Sequence, residues 1–218
     1  MKIKINAILW KDLIFLKKGI KTLIVSLAMM IGMTCFIGIV NPSLEVLLPF
    51  LSLLFTTIIF GGICENTREM MSGFLEAIAS THLSLKKVFF KDVMFSAIIG
   101  MILSIFTFFV SIIILKTFGY EAGFSNLSSV LILSLFTSIG SLGIQREGGI
   151  SLPFSNSFFN NLLGFVTLSF YLFSFLIFFI DWAYTVLWIM SIIGVVIFLI
   201  LSFFGRENKE AVINLWGA

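Results

Sequence analysis

The chain has 218 residues, 59% of them hydrophobic and only 11% charged, with a formal net charge of +3. A soluble domain carries about 25% charged residues. The deficit, 27 phenylalanines and a mean hydropathy of +1.14 exclude an ordinary water-soluble globule and predict an all-α integral membrane protein occupying one transmembrane domain.

Residues 1–20 open the chain with Lys4, Lys11 and Lys18 at seven-residue spacing, and with Ile5, Ile8, Leu9, Leu13 and Leu16 on another helical face. With Trp10 they read as an amphipathic helix lying in the headgroup layer. The simpler alternative is a set of basic anchors. Six charge-poor runs of about 20 residues follow, the length that spans a bilayer: about 22–40, 46–64, 93–115, 127–145, 162–180 and 183–204. The first is long enough to span, and no small-residue cleavage site follows it, so no signal peptide is expected. It ends at Asn41-Pro42-Ser43, a turn signal. Only Asp181-Trp182 separates the last two runs. An acid at the centre of a span costs about 2.5–3.5 kcal/mol, so Asp181 is expected in a tight external turn. A single helix of about 40 residues is the alternative, and it would be too long for the bilayer.

Six spans put both termini on one side, together with the loops at 65–92 and 146–161. That side then holds thirteen of the fourteen lysines and arginines, and the other holds only Lys116. Basic residues favour the cytoplasmic face, so both termini are expected there. The abundance of Ile, Phe and Lys suggests an AT-rich bacterial genome, hence the bacterial cytoplasmic membrane. Cys35 lies about 21 Å along its helix from Lys21, at 1.5 Å per residue, whereas Cys64 sits at the cytoplasmic edge. The two are not expected to meet, and no CxxC spacing is present.

One long segment is polar. Residues 64–92 carry Glu65, Glu69, Glu76 and Asp92, four of the eleven acids, and the only histidine, His82. Asn66 and Glu69 have the spacing of a capping pair. Met70, Phe74 and Ile78 recur every four residues beside Met71 and Leu75, roughly opposite Arg68, Ser72, Glu76 and Ser80. This predicts a short amphipathic helix over 67–80. Ser84 then caps a second helix that runs through Lys86, Lys87 and Lys91 into the third span. The apolar face of the first helix can rest on lipid or on the protein itself, or dock in a groove of a soluble partner, for which Met and Phe are suited.

The order of parts resembles the membrane subunit of a type 2 ATP-binding-cassette (ABC) exporter: a basic interfacial helix, two spans, a helical cytoplasmic loop and four more spans. Those permeases often carry an acidic stretch after the second span, then Gly-Thr-Leu-Glu, a proline and a later lysine. Here Glu69 precedes Gly73-Phe74-Leu75-Glu76, and Lys91 stands at the lysine; Phe74 replaces the threonine, His82 the proline and Met71 a second acid. The compact six-span length and short outer loops are similar to the haem exporter B subunit. The resemblance implies that the loop bearing Glu69, Met70, Gly73, Phe74, Leu75, Glu76, Ile78 and His82 couples the spans to a separate ABC ATPase. It also implies a second permease copy or homologue, with ATP and Mg bound by the ATPase alone.

No GxxxxGK[ST] phosphate loop occurs, so ATP binding by that route is not expected of this chain. No HExxH or His/Cys-rich grouping occurs either; neither an enzyme nor a cofactor in this chain is expected, and no nucleic-acid partner. No charge lies inside the predicted spans away from their ends, which disfavours an ion path and fits a hydrophobic or amphipathic cargo such as a peptide, drug, lipid or haem. Span hydroxyls, among them Thr34, Thr56, Thr57, Ser104, Thr107, Ser111, Ser134, Thr137, Ser138, Ser141, Ser169 and Ser174, are expected to bond their own helix or a neighbour. Gly32, Gly38, Gly61, Gly62, Gly140 and Gly143 are candidates for close helix packing. A non-transporting bacteriocin-immunity or assembly protein would need the same spans and the same charge bias.

Overall fold

The computed structural model describes residues 13–14, 16–17, 19–41, 43–63, 85–120, 126–151 and 157–204. Among them every element is helical: α1 Ile20–Val40, α2 Leu44–Ile63, α3 Leu85–Thr117, α4 Leu127–Ser151, α5 Ser157–Leu176 and α6 Asp181–Phe204. Helices are what such apolar runs must form in lipid, where each satisfies its own backbone N–H and C=O groups. α1, α2, α4 and α6 carry segments long and apolar enough to cross a membrane, as does Phe90–Thr117 within α3; among the described residues α5 contributes the shorter apolar segment Gly164–Leu176.

Local chemistry sets the helix ends. The Asn41 side-chain carbonyl accepts the Ser43 N–H at 2.9 Å, and α2 opens with a 3-10 turn over Leu44–Leu47. α3 closes on Gly119, whose φ of +82° lets the Tyr120 N–H turn back to the Leu115 carbonyl at 3.0 Å, the left-handed helix stop that glycine favours. α3 starts at Leu85, in keeping with the helix expected to follow a Ser84 cap and run through Lys86, Lys87 and Lys91 into the third span. α4 runs further than the sequence reading, continuing through Gln145, Arg146 and Glu147 to Ser151. Polar residues of good helix propensity extend a helix beyond its apolar segment at little cost. The turn between α5 and α6 occupies residues 177–180, and Asp181 is the first residue of α6 rather than part of the turn. Its carboxylate there faces the positive end of the helix dipole.

The helices alternate in direction. Phe50 and Phe175 pack with ring centroids 5.6 Å apart, Ser129 meets Tyr184, and Gly38 meets Leu44 and Leu115. One end of the bundle therefore carries Lys116 and Gly119 and the other carries Lys21, Lys87 and Lys91. α2 and α4 are the inner helices: 61% of each apolar window is buried, against 11% for α1 and 22% for α6. α1 packs chiefly on α3 and turns Ile24, Val25, Met29, Phe36 and Val40 outward. At the Lys116 end, Leu44, Leu47, Leu48 and Leu51 of α2 pack with Phe108, Ile112 and Leu115 of α3 and Val130 of α4 in an apolar plug.

Candidate functional site

The proposed coupling residues Glu69, Met70, Gly73, Phe74, Leu75, Glu76, Ile78 and His82, the anchors Lys4, Trp10, Lys11 and Lys18, and Cys64 all lie outside the described residues. What is described beside the loop is the start of α3. There Lys87 and Lys91 are exposed, whereas Val88 and Asp92 are buried.

Asp92 departs from the sequence expectation. The helix expected to run through Lys91 carries it at the cytoplasmic edge, ahead of the third span; in α3 it is only 2% exposed. A second acid is buried too. Glu45, which falls just ahead of the second span read from sequence, is 5% exposed, and both of its carboxylate oxygens accept the Asn126 N–H at 3.2 Å. Asn126 immediately precedes α4, so Glu45 supplies from another helix the acceptor that a helix N-terminus lacks. Neither acid stands near the middle of an apolar run, so periodicity alone does not place it in the interior.

The distinctive interior feature is a seam of hydroxyls. On α3 the face Asp92, Ser96, Gly100, Ser104, Thr107 and Ser111 is buried, at helical spacing. α2 presents Ser52 and Thr56, and α4 presents Ser134, Thr137, Ser138 and Ser141, all at most 1% exposed. Hydrogen bonds tie the helices across this seam. Ser52 and Ser138 pair at 2.9 Å, Thr137 and Ser191 at 2.9 Å and Ser129 and Tyr184 at 2.8 Å. Thr57 of α2 pairs with Tyr171 of α5.

The expected back-bonding is seen at Thr34, Thr57, Ser104, Thr107, Ser134, Thr137, Ser169 and Ser174, each donating to a carbonyl of its own helix. Thr56, Ser111 and Ser141 depart from it: their buried hydroxyls have no hydrogen-bond partner, and neither has that of Ser96. Sequence reading overlooks Ser52, Ser96, Ser129 and Ser191. The available signal is the four-residue step from Asp92 to Ser96 to Gly100, which marks one face of a helix.

Small residues bring the backbones together. Gly100 abuts Thr56, and a Cβ added there would lie 2.7 Å from the Thr56 backbone nitrogen. Gly143 lies under the Phe198 ring, and Gly38 under Leu115 and Leu44. Of the glycines named from sequence, Gly38, Gly140 and Gly143 pack closely, whereas Gly32 and Gly61 have open space beside them. Gly100 and Gly194 make close contacts that the sequence reading does not name. Without a hydrophobic driving force between helices in lipid, such contacts and interhelical hydrogen bonds supply much of the association energy. Among the described residues no group of three or more His, Cys, Asp or Glu is placed to hold a metal.

These features define a helical membrane protein whose inner helices, α2 and α4, meet α3 and α6 along polar seams. No family model, curated protein or solved structure matches the chain. The class therefore rests on the apolar helices and on their packing.

Proposed function

We propose that this chain is the membrane permease subunit of an ABC-type exporter, embedded in the bacterial cytoplasmic membrane with six crossings and both termini in the cytoplasm. α5 makes the fifth crossing. The loop between α2 and α3 docks on a separate ATPase that binds ATP and Mg, and a second permease, identical or homologous, completes the path. The cargo is hydrophobic or amphipathic, in keeping with the many large apolar side chains, Phe36, Phe165 and Phe203 among them, exposed on the helix surfaces.

The supporting observation is the continuity of α3. It runs unbroken over 33 residues from Leu85, at the end of the polar loop, to Thr117. A rigid rod of about 50 Å, at 1.5 Å per residue, carries a displacement of the loop along the whole span. Coupling requires such an element, biased by events at one end and felt at the other. Its buried start, Val88 and Asp92, ties the loop end of the rod to the bundle.

The test is affinity purification of the full chain from detergent-solubilised membranes of its own host. An ATPase bearing a phosphate loop is expected to co-purify, and Phe74→Asp or Glu76→Arg is expected to release it while the permease still inserts. In vesicles, Ile78→Pro is expected to leave insertion intact and uncouple ATP hydrolysis from transport. Recovery without any ATPase, or binding unaffected by these changes, favours a non-transporting immunity or assembly protein.

A further inference from the structure

α3 packs more on α1 and on α4 than on α6, which it meets over a short stretch. That stretch is built from aromatic rings. At the Lys87 end of the bundle the Phe90 ring of α3 lies flat on the Phe198 ring of α6, with centroids 5.3 Å apart and planes 7° from parallel. Phe203, in the last turn of α6, leans on the same Phe90 ring at 6.3 Å and 52°. Phe198 is fully buried, and its ring is backed by Gly143 of α4, where a side chain would have no room. Val93 and Ala97 of α3 and Ile139 and Leu142 of α4 complete the cluster around it.

In lipid an apolar side chain gains nothing merely by leaving the acyl chains for another helix, since both are apolar. A contact that fixes one helix against another therefore needs a specific shape. Ring faces supply it: aromatic pairs favour defined orientations with centroids about 4.5–7 Å apart, and both Phe90 contacts lie in that window. Phe90 stands at the edge of the buried face of α3, half-buried between buried Val88 and Asp92 and beside exposed Lys91. It is held by two rings of one helix, and the deeper of those rings rests on a third helix.

We propose that Phe90 is a clamp that makes the start of α3 and the end of α6 move as one body. A displacement of α3 at this end passes to α6 through Phe198 and, because Phe198 rests on Gly143, onward to α4. Packed side chains of this kind are the physical route by which one element biases another. The clamp stands on ring geometry alone; its use in transport rests on the permease reading, in which it spreads a displacement of the loop over three helices.

The test is double electron–electron resonance on the purified full chain in detergent, with both native cysteines replaced and the labelled chain diluted by unlabelled chain. One spin-label pair, at Lys87→Cys and Ile200→Cys, spans the clamp. A second, at Lys116→Cys and Thr185→Cys, spans α3 and α6 at the opposite end; all these positions are exposed. Phe90→Ala is expected to broaden the distance distribution of the first pair and shift it to longer distances, with the second pair unchanged. Phe90→Tyr, which keeps the ring, is expected to match the parent. An unchanged first pair overturns the clamp, because other contacts then hold the two helices in place. Broadening at both ends also overturns it, because it marks a general loosening of the bundle. Phe90→Leu, which keeps apolar bulk without a ring, decides by the same criteria if Phe90→Ala impairs folding. No arm of this experiment requires an ATPase, so failure of the clamp is distinguishable from failure of the permease reading.

Discussion

Gly140 of α4 and Gly194 of α6 lie backbone to backbone. A Cβ added at Gly194 would stand 3.0 Å from the Gly140 Cα, and one added at Gly140 would stand 3.3 Å from the Gly194 Cα. The buried stripe of α6, Ala183, Leu187, Ser191, Gly194 and Phe198, runs along this contact, with Thr137–Ser191 hydrogen-bonded one turn away. α4 and α6 thus combine close approach with a polar tie, the two devices that hold helices together in lipid.

Filling that contact forces the helices apart. Gly140→Val and Gly194→Val are each expected to destabilise the chain by about 1–3 kcal/mol, the usual range for overpacking. Gly61 has nothing beside it, so Gly61→Val is the control and is expected to stay within about 0.5 kcal/mol of the parent. Thermal unfolding in detergent reads all three. Equal Tm values would mean that α4 and α6 do not meet at these glycines.

Glu45 ties the start of α2 to the start of α4 through the Asn126 N–H. Glu45→Ala removes that acceptor and is expected to cost about 0.5–2 kcal/mol, as other cap deletions do. Glu45→Gln keeps a side-chain oxygen and is expected to lose less. The ranking of the three Tm values is the check; an alanine variant as stable as the parent would contradict the tie.

The Thr137–Ser191 pair offers a measure of polar coupling inside the bundle. Thr137→Val and Ser191→Ala, singly and together, are expected to give a coupling energy of about 0.6 kcal/mol, the average found for such pairs within membranes. A value near zero would assign the cohesion of α4 and α6 to the glycine contact alone.

Crossing number and orientation are testable with thiol reagents and reporters. Positions 87 and 116 lie about 44 Å apart along α3, at 1.5 Å per residue. In a chain with both native cysteines replaced, Lys87→Cys is expected to react from the cytoplasmic side and Lys116→Cys from the opposite side. Reporters fused at residues 1 and 218 are expected to lie on the same side if α5 crosses. Reporters on opposite sides would leave an odd number of crossings and remove the six-span topology.

The apolar runs alone are enough to locate most helices. Loss of backbone hydration in lipid costs so much that a run of about 20 apolar residues has few alternatives to a helix. Hence α1, α2 and α6 begin within about two residues of the positions read from sequence. Boundaries drift where polar residues sit at an apolar edge, as at Gln145 and Asp181, because propensity and dipole effects there amount to a few tenths of a kcal/mol to about 1 kcal/mol.

Which faces meet is another matter. All sides of these helices are greasy, so hydrophobic periodicity cannot separate a lipid-facing side from a core-facing one. Phe36 and Phe108 look alike in sequence, yet one is 71% exposed and the other 0%. The burial of Asp92 and Glu45, the approach of Gly140 to Gly194 and the pairing of Ser52 with Ser138 all depend on helix register and rotation. Those are settled by contacts between residues far apart in the chain, and only the assembled bundle displays them.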